Sequence, residues 1–222
     1  MTRSTTTPGT SVPAAQAVQD FFGPLLASLR TSGDAIAPLF DAGSVSADEV
    51  LRVSRPFAFD VLQDPHTVGA GFVVSPGLLA DETYLLAWWQ GDDKERIPES
   101  AALVQSTDYS RQEWFRTPVR TGRSHVTGPY IDYVCTDEFV LTLTVPVVRA
   151  ERTLGVMGVD VLAETIERAL VDVFRAEGAT LVNHHDRAVL SGDPRVFAGD
   201  PVDRAAYGTA TPCDGLPFTV LT

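Results

Sequence analysis

The residues able to do chemistry crowd into one part of this 222-residue chain, positions 108–160: DYSRQEWFRTPVRTGRSHVTGPYIDYVCTDEFVLTLTVPVVRAERTLGVMGVD. Asp160 ends an apolar run, so burial is expected, and a buried carboxylate is costly unless a cation or several donors satisfy it. Its functional reading is an anchor for a ligand ammonium; its bland reading is a cap on the helix that follows. Asp132 is read as a second ligand carboxylate or as a solvated turn residue. Trp114, Phe115 and Tyr130 can line an aromatic wall, which attracts alkylammonium groups by roughly 0.5–2 kcal/mol, although Phe115 serves equally well as core. Trp88 and Trp89 are neighbours on a strand and must face opposite ways, so at most one reaches a pocket; Trp89 is taken as that one. Tyr109 stands beside them in a loop-like stretch, residues 108–115. Arg111 decides the ligand. Pointing inward, it clamps a carboxylate in bidentate fashion; pointing to solvent, it leaves acids and aromatics that suit a primary amine or polyamine, the preferred reading.

Two other constellations are weaker. His125, Asp132 and Cys135 fall within eleven residues, yet close spacing does not create triad geometry and no nucleophile elbow accompanies them, so no catalytic residue is assigned. His184, His185 and Asp186 sit in a hairpin turn, where adjacent histidines are expected to diverge into solvent without further ligands at metal spacing. No metal or cofactor is assigned. The Gly69-Ala-Gly71 stretch lacks the strand-then-helix context of a phosphate loop and is read as a place where a neighbouring strand comes close.

These side chains need elements to hold them. Residues 140–145 alternate face by face and residues 156–159 run into Asp160, a half-buried sheet pattern. Residues 68–76 and 84–89 read as further strands of ordinary length. Ahead of them Ala14, Val18, Phe21, Leu25 and Leu29 recur at helical spacing, with a kink expected at Gly23-Pro24. That face is to be buried against the sheet or against a second copy in a homodimer. Residues 33–43 read as a linker. Ser46 and Glu49 form a capping box for a second helix that Pro56 interrupts. Leu162, Ile166, Leu170 and Val173 give an amphipathic helix closed by Gly178, followed by a hairpin around residues 183–186 and a last strand at 218–222.

Composition narrows the function classes. A 44% hydrophobic content supports a real core, and a formal net charge of −12 argues against nucleic-acid binding, which needs clustered cations. No apolar leader opens the sequence and no run of 18 apolar residues occurs, so the expectation is a cytoplasmic chain that does not enter a membrane, with both cysteines reduced.

In order, the helical lead-in, GAGFVVSP, WWQ, the EWF box, GPYIDY, LTLTVPV and GVMGVDVL resemble a Cache domain, the PAS-like sensor module of bacterial receptors, over roughly residues 49–170. The resemblance implies an α+β fold: an antiparallel sheet with a long N-terminal helical lead-in, a small molecule held between sheet and loops, and a reduced second Cache-like segment at the C-terminus. The corresponding division is a disordered tail (1–13), the helical lead-in (14–66), the ligand-binding core (67–178) and the truncated second segment (179–222). It further implies a non-enzymatic sensor acting through an unidentified signalling partner. Amino-acid-binding members carry an arginine two residues before the box tryptophan, where this chain has Gln112, with Arg111 adjacent. Tyr130, Asp132 and Asp160 match the ammonium-binding side. The expected ligand is therefore a small amine or polyamine, with an amino acid or small carboxylate held through Arg111 as the alternative and a ligand-free interaction domain as another.

Overall fold

The computed structural model describes residues 12–91, 93–97, 108–131 and 139–222. The tail expected at 1–13 lies almost wholly outside these residues, as do Asp132 and Cys135. A six-stranded antiparallel sheet has the order β3-β2-β1-β6-β5-β4, built from β1 (Thr67–Val74), β2 (Leu86–Gln90), β3 (Glu95–Arg96), β4 (His125–Ile131), β5 (Phe139–Arg149) and β6 (Arg152–Leu162). A four-stranded sheet, β8-β7-β10-β9, follows from β7 (Thr180–Asn183), β8 (Ala188–Ser191), β9 (Ala210–Pro212) and β10 (Phe218–Leu221). The mixed α+β architecture with its antiparallel sheets agrees with the expectation from sequence.

Helix α1 (Pro13–Ile36) lies across β5 and β6, and α2 (Ala47–Val61) lies on β1 and β2, so both cover the same face of the large sheet. Ala14, Val18, Phe22, Leu25, Leu29 and Ile36 of α1 are buried there, against Met157, Val159, Leu143 and Val145 of the sheet. Phe22 rather than Phe21 is the central aromatic. The helix continues past Gly23-Pro24 to Ile36, which sets the buried spacing at 18, 22, 25 and 29. It also absorbs the start of the stretch expected as a linker, and a 3-10 turn (Ala37–Ala42) takes the rest. Because this apolar face covers the chain's own sheet, a second copy would have to meet the helix on its polar side.

The capping box forms as expected: the Glu49 backbone N–H donates to Ser46 Oγ, and the Ser46 N–H donates to Glu49 Oε2 at 2.9 Å. Pro56 is accommodated inside α2, which runs unbroken to Val61. α1 also reaches the second sheet, where the Phe22 and Phe218 rings are 5.4 Å apart, so one apolar core serves both sheets. Two more helices follow among the described residues. α3 (Glu113–Thr121) packs on the opposite face of the large sheet, over β4, β5 and β6, and α4 (Ala163–Glu177) joins the two sheets and packs on α1 and β8. The C-terminal glycine of α4, Gly178, takes the left-handed conformation read for it. No described helix is long and apolar enough to cross a membrane.

Candidate functional site

The sheet face under α3 differs in kind from the face under α1. Strand pairing aligns Gln90, Gly69, Asp160, Thr142 and Thr127 in one row across five strands, and Trp88, Gly71, Gly158, Thr144 and His125 in the next. Directly paired residues present side chains to the same side, so one face gathers polar groups around three glycines. Those glycines leave a floor without side chains, and the Trp88 indole occupies it. A Cβ at Gly158 would stand 3.0 Å from the indole, and one at Gly69 would stand 2.6 Å from Trp88 Nε1 and 3.2 Å from Asp160 Oδ2. Gly71 meets a different constraint: a Cβ there would lie 2.1 Å from the carbonyl oxygen of Ala87, the close strand approach expected for this stretch.

Asp160 is buried, 4% exposed. Thr142 Oγ1 donates to its Oδ1 at 2.5 Å, and Thr142 is itself 2.6 Å from the Tyr130 hydroxyl, so a hydroxyl chain runs from the edge strand to the carboxylate. The bland reading of Asp160 as a helix cap does not hold, since Leu162 occupies the N-cap of α4 and Asp160 stays within β6. Three buried polar atoms in the two rows have no hydrogen-bond partner: Trp88 Nε1, Gln90 Oε1 and Thr144 Oγ1. Buried groups of this kind are almost always paired in folded proteins, and here three of them share the sheet face of Asp160.

The aromatic wall is set by a local structure that sequence reading assigned to a loop. Residues 109–111 form a 3-10 turn and α3 begins at Glu113, so Trp114 and Phe115 are placed by a helix. Phe115 is buried with Trp88, Val73 and Val156, while Trp114 remains half-buried and stacks on Tyr109 with ring centroids 6.3 Å apart. Tyr109 has a structural task. Its hydroxyl donates to the Val74 carbonyl at 2.5 Å and accepts from the Leu85 N–H at 3.0 Å, and burial pushes its pKa upward. Trp89 faces the other way, into the core under α2 beside Phe59; it is Trp88 that shares the face of Asp160. Arg111 points to solvent, 86% exposed, where it pairs with Asp108 at 3.3 Å.

A second cluster lies at the β4 edge of the same face. His125, paired with Thr144, is buried and its Nε2 is 2.8 Å from Glu113 Oε1. His184 Nε2 is 3.2 Å from the same oxygen and His185 Nε2 is 3.4 Å from Oε2. The turn histidines therefore converge where they were expected to diverge. The cause is Asn183, whose side-chain oxygen accepts from the N–H groups of His185 and Arg187 and whose amide donates to the Gly128 carbonyl at 2.7 Å, fixing a turn in which neighbouring side chains no longer alternate. The hydrogen bond from His125, reinforced by the other two imidazoles, holds the Glu113 carboxyl down to about 2. Burial lowers the pKa of His184, opposed by Glu113. The third member of the triad considered from sequence spacing, His125, is thus engaged by Glu113.

Residues 59–168 match the family described as methyl-accepting chemotaxis protein-like, first PDC sensor domain. Among solved structures, the sensory domain of the Campylobacter jejuni chemoreceptor Tlp3 (CcmL) with isoleucine bound superposes with a TM-score of 0.66 at 14% identity, covering 94% of this chain and 86% of that one. The ligand-binding domain of the Pseudomonas fluorescens chemoreceptor CtaA in complex with L-isoleucine gives 0.63 at 14% identity, with 94% and 86% covered. The Tlp3 domain in complex with L-norvaline gives 0.65 at 14%, with 94% and 84% covered. No curated protein matches the sequence. Residues 59–168 are thus similar to a PDC-type sensor domain, and nearly the whole chain shares its fold with these solved sensory domains.

Proposed function

We propose that the chain is a non-enzymatic sensor domain whose ligand is a small aliphatic α-amino acid, bound on the sheet face under α3. The observation that carries this reading is the joint presence there of buried Asp160 and the unpartnered Trp88 Nε1, Gln90 Oε1 and Thr144 Oγ1. An α-amino acid offers complementary groups. Its ammonium suits the acceptors of one row, Asp160 and Gln90; its carboxylate suits the Trp88 N–H and Thr144 hydroxyl of the next; and an aliphatic side chain suits the apolar surface of Trp114, Phe115 and Val156. The isoleucine, norvaline and leucine complexes of the similarly folded Tlp3 and CtaA domains support the same ligand class.

This reading reverses the preference for an amine drawn from the sequence and also removes Arg111 from the role of carboxylate clamp. One observation still favours a simple amine: with Arg111 turned to solvent, the cation expected to hold a carboxylate is not at the site. Calorimetric titration separates the two. L-isoleucine, L-leucine and L-valine are expected to bind with micromolar affinity, about −8 kcal/mol, and putrescine and spermidine to give no heat of binding. Binding of the amines without the amino acids would overturn the assignment.

A further inference from the structure

Three of the four histidines of the chain meet one carboxylate at the junction of α3, β4 and the β7–β8 turn. The ligand atoms of Glu113, His184 and His185 all lie within 4.8 Å of one another. Magnitudes separate the roles of the three imidazoles. Zinc-type ions bind imidazole nitrogen and carboxylate oxygen at about 2.0–2.2 Å, which in a tetrahedral site puts ligand atoms about 3.3 Å apart. Glu113 Oε1 stands 3.2 Å from His184 Nε2 and Glu113 Oε2 stands 3.4 Å from His185 Nε2, close to this separation and at the long end of hydrogen-bond contact. His125 Nε2, at 2.8 Å, makes an ordinary hydrogen bond to Glu113 instead.

We propose that Glu113, His184 and His185 form a binding site for a divalent transition-metal ion of the zinc class, with buried His125 as a positioning residue that orients the Glu113 carboxylate. Imidazole and carboxylate ligands suit such ions, and a ligating carboxylate is itself commonly held by a hydrogen bond. The turn is prepared for it. Asn183 fixes the backbone of the two histidines and ties it to Gly128 of β4, while the neighbouring Asp186 is engaged by Arg204. His184 and His185 are partly exposed, so the ion has an entry path and a fourth position open to water. Since Glu113 belongs to the first turn of α3 and the histidines to the hairpin of the second sheet, the ion would clip that hairpin to the helix that carries Trp114 and Phe115.

The test uses tag-free full chain, stripped with a chelator and dialysed, then titrated with Zn2+ against a chromophoric competitor. One equivalent is expected to bind. The H184A/H185A double variant, altered only at a partly exposed turn, is expected to lose that equivalent while retaining its circular dichroism spectrum and thermal transition, and H66A is expected to keep it. H125N is expected to weaken binding roughly ten- to a hundred-fold. Failure of the stripped chain to bind Zn2+, or retention of the equivalent by the folded double variant, overturns the site. The outcome is independent of amino-acid binding, which this titration does not measure.

Discussion

Replacing Asp160 with Asn separates a binding role from a structural one, because the two predict opposite signs. Asn keeps the shape and retains an oxygen to accept from Thr142 Oγ1, whose hydrogen bond to Asp160 is 2.5 Å long, but it removes a charge from a position only 4% exposed. Burying a carboxylate costs several kcal/mol, and the hydrogen bond that Asp160 accepts from Thr142, itself bonded to Tyr130, brings no countercharge. The unliganded variant should therefore be as stable as the parent or more stable by up to about 2 kcal/mol, which for a chain of this length raises Tm by roughly 4–8 °C. Ligand binding should move the other way. A hydrogen bond to a charged group is worth about 1.5–3 kcal/mol, so the loss of the ammonium partner should weaken L-isoleucine roughly 10- to 150-fold. Differential scanning calorimetry and isothermal titration on the same preparation read both quantities. A fall in Tm with unchanged affinity would refute the reasoning and make Asp160 a structural residue.

Further expectations concern the surroundings of the site. Gly69→Ala places a methyl group 2.6 Å from Trp88 Nε1; it should cost about 1–3 kcal/mol in chemical denaturation and lower ligand affinity, whereas Gly23→Ala, in α1 with nothing within 4 Å, should gain up to about 1 kcal/mol. Tyr109→Phe leaves the Val74 carbonyl and Leu85 N–H without the hydroxyl, so stability should drop by about 1–3 kcal/mol with affinity unchanged; a selective loss of affinity would return Tyr109 to the ligand site. Burial pushes the Cys213 thiol up to about 11. At pH 8 only about one thiol in a thousand is then the reactive thiolate, and peptide mass spectrometry after iodoacetamide should find Cys213 unlabelled in native protein, with labelling that grows as pH rises toward 11 or on addition of denaturant. Prompt labelling at pH 8 would contradict the burial.

What could be read from the sequence was set by local periodicity. Alternation through β5 and the run into Asp160 identified the central strands, and the Ser46 and Glu49 capping box fixed the start of α2, because both depend on residues a few positions apart. The choice between Trp88 and Trp89 was beyond this reach. Alternation says that they oppose each other, but only the pairing of Trp88 with Gly71 says which faces Asp160. The aromatic box was read as a loop since α3 spans only Glu113–Thr121 and contains Pro118, too short and interrupted for a clear helical pattern. The histidine cluster was least legible: Glu113 and His185 are 72 positions apart, and the convergence of adjacent histidines depends on the Asn183 turn. A signal was present nonetheless, since Asn is among the residues whose side chains bond to the backbone two positions on and build such turns.

The central claim, that the face of Asp160 and Trp88 is the ligand site, is tested most directly by a crystal structure of the chain grown with saturating L-isoleucine. One amino acid is expected on that face, its ammonium within hydrogen-bond distance of an Asp160 oxygen and its carboxylate reached by Trp88 Nε1. An amino acid seated elsewhere, such as on the second sheet, or a face that stays without ligand at saturation, would contradict it.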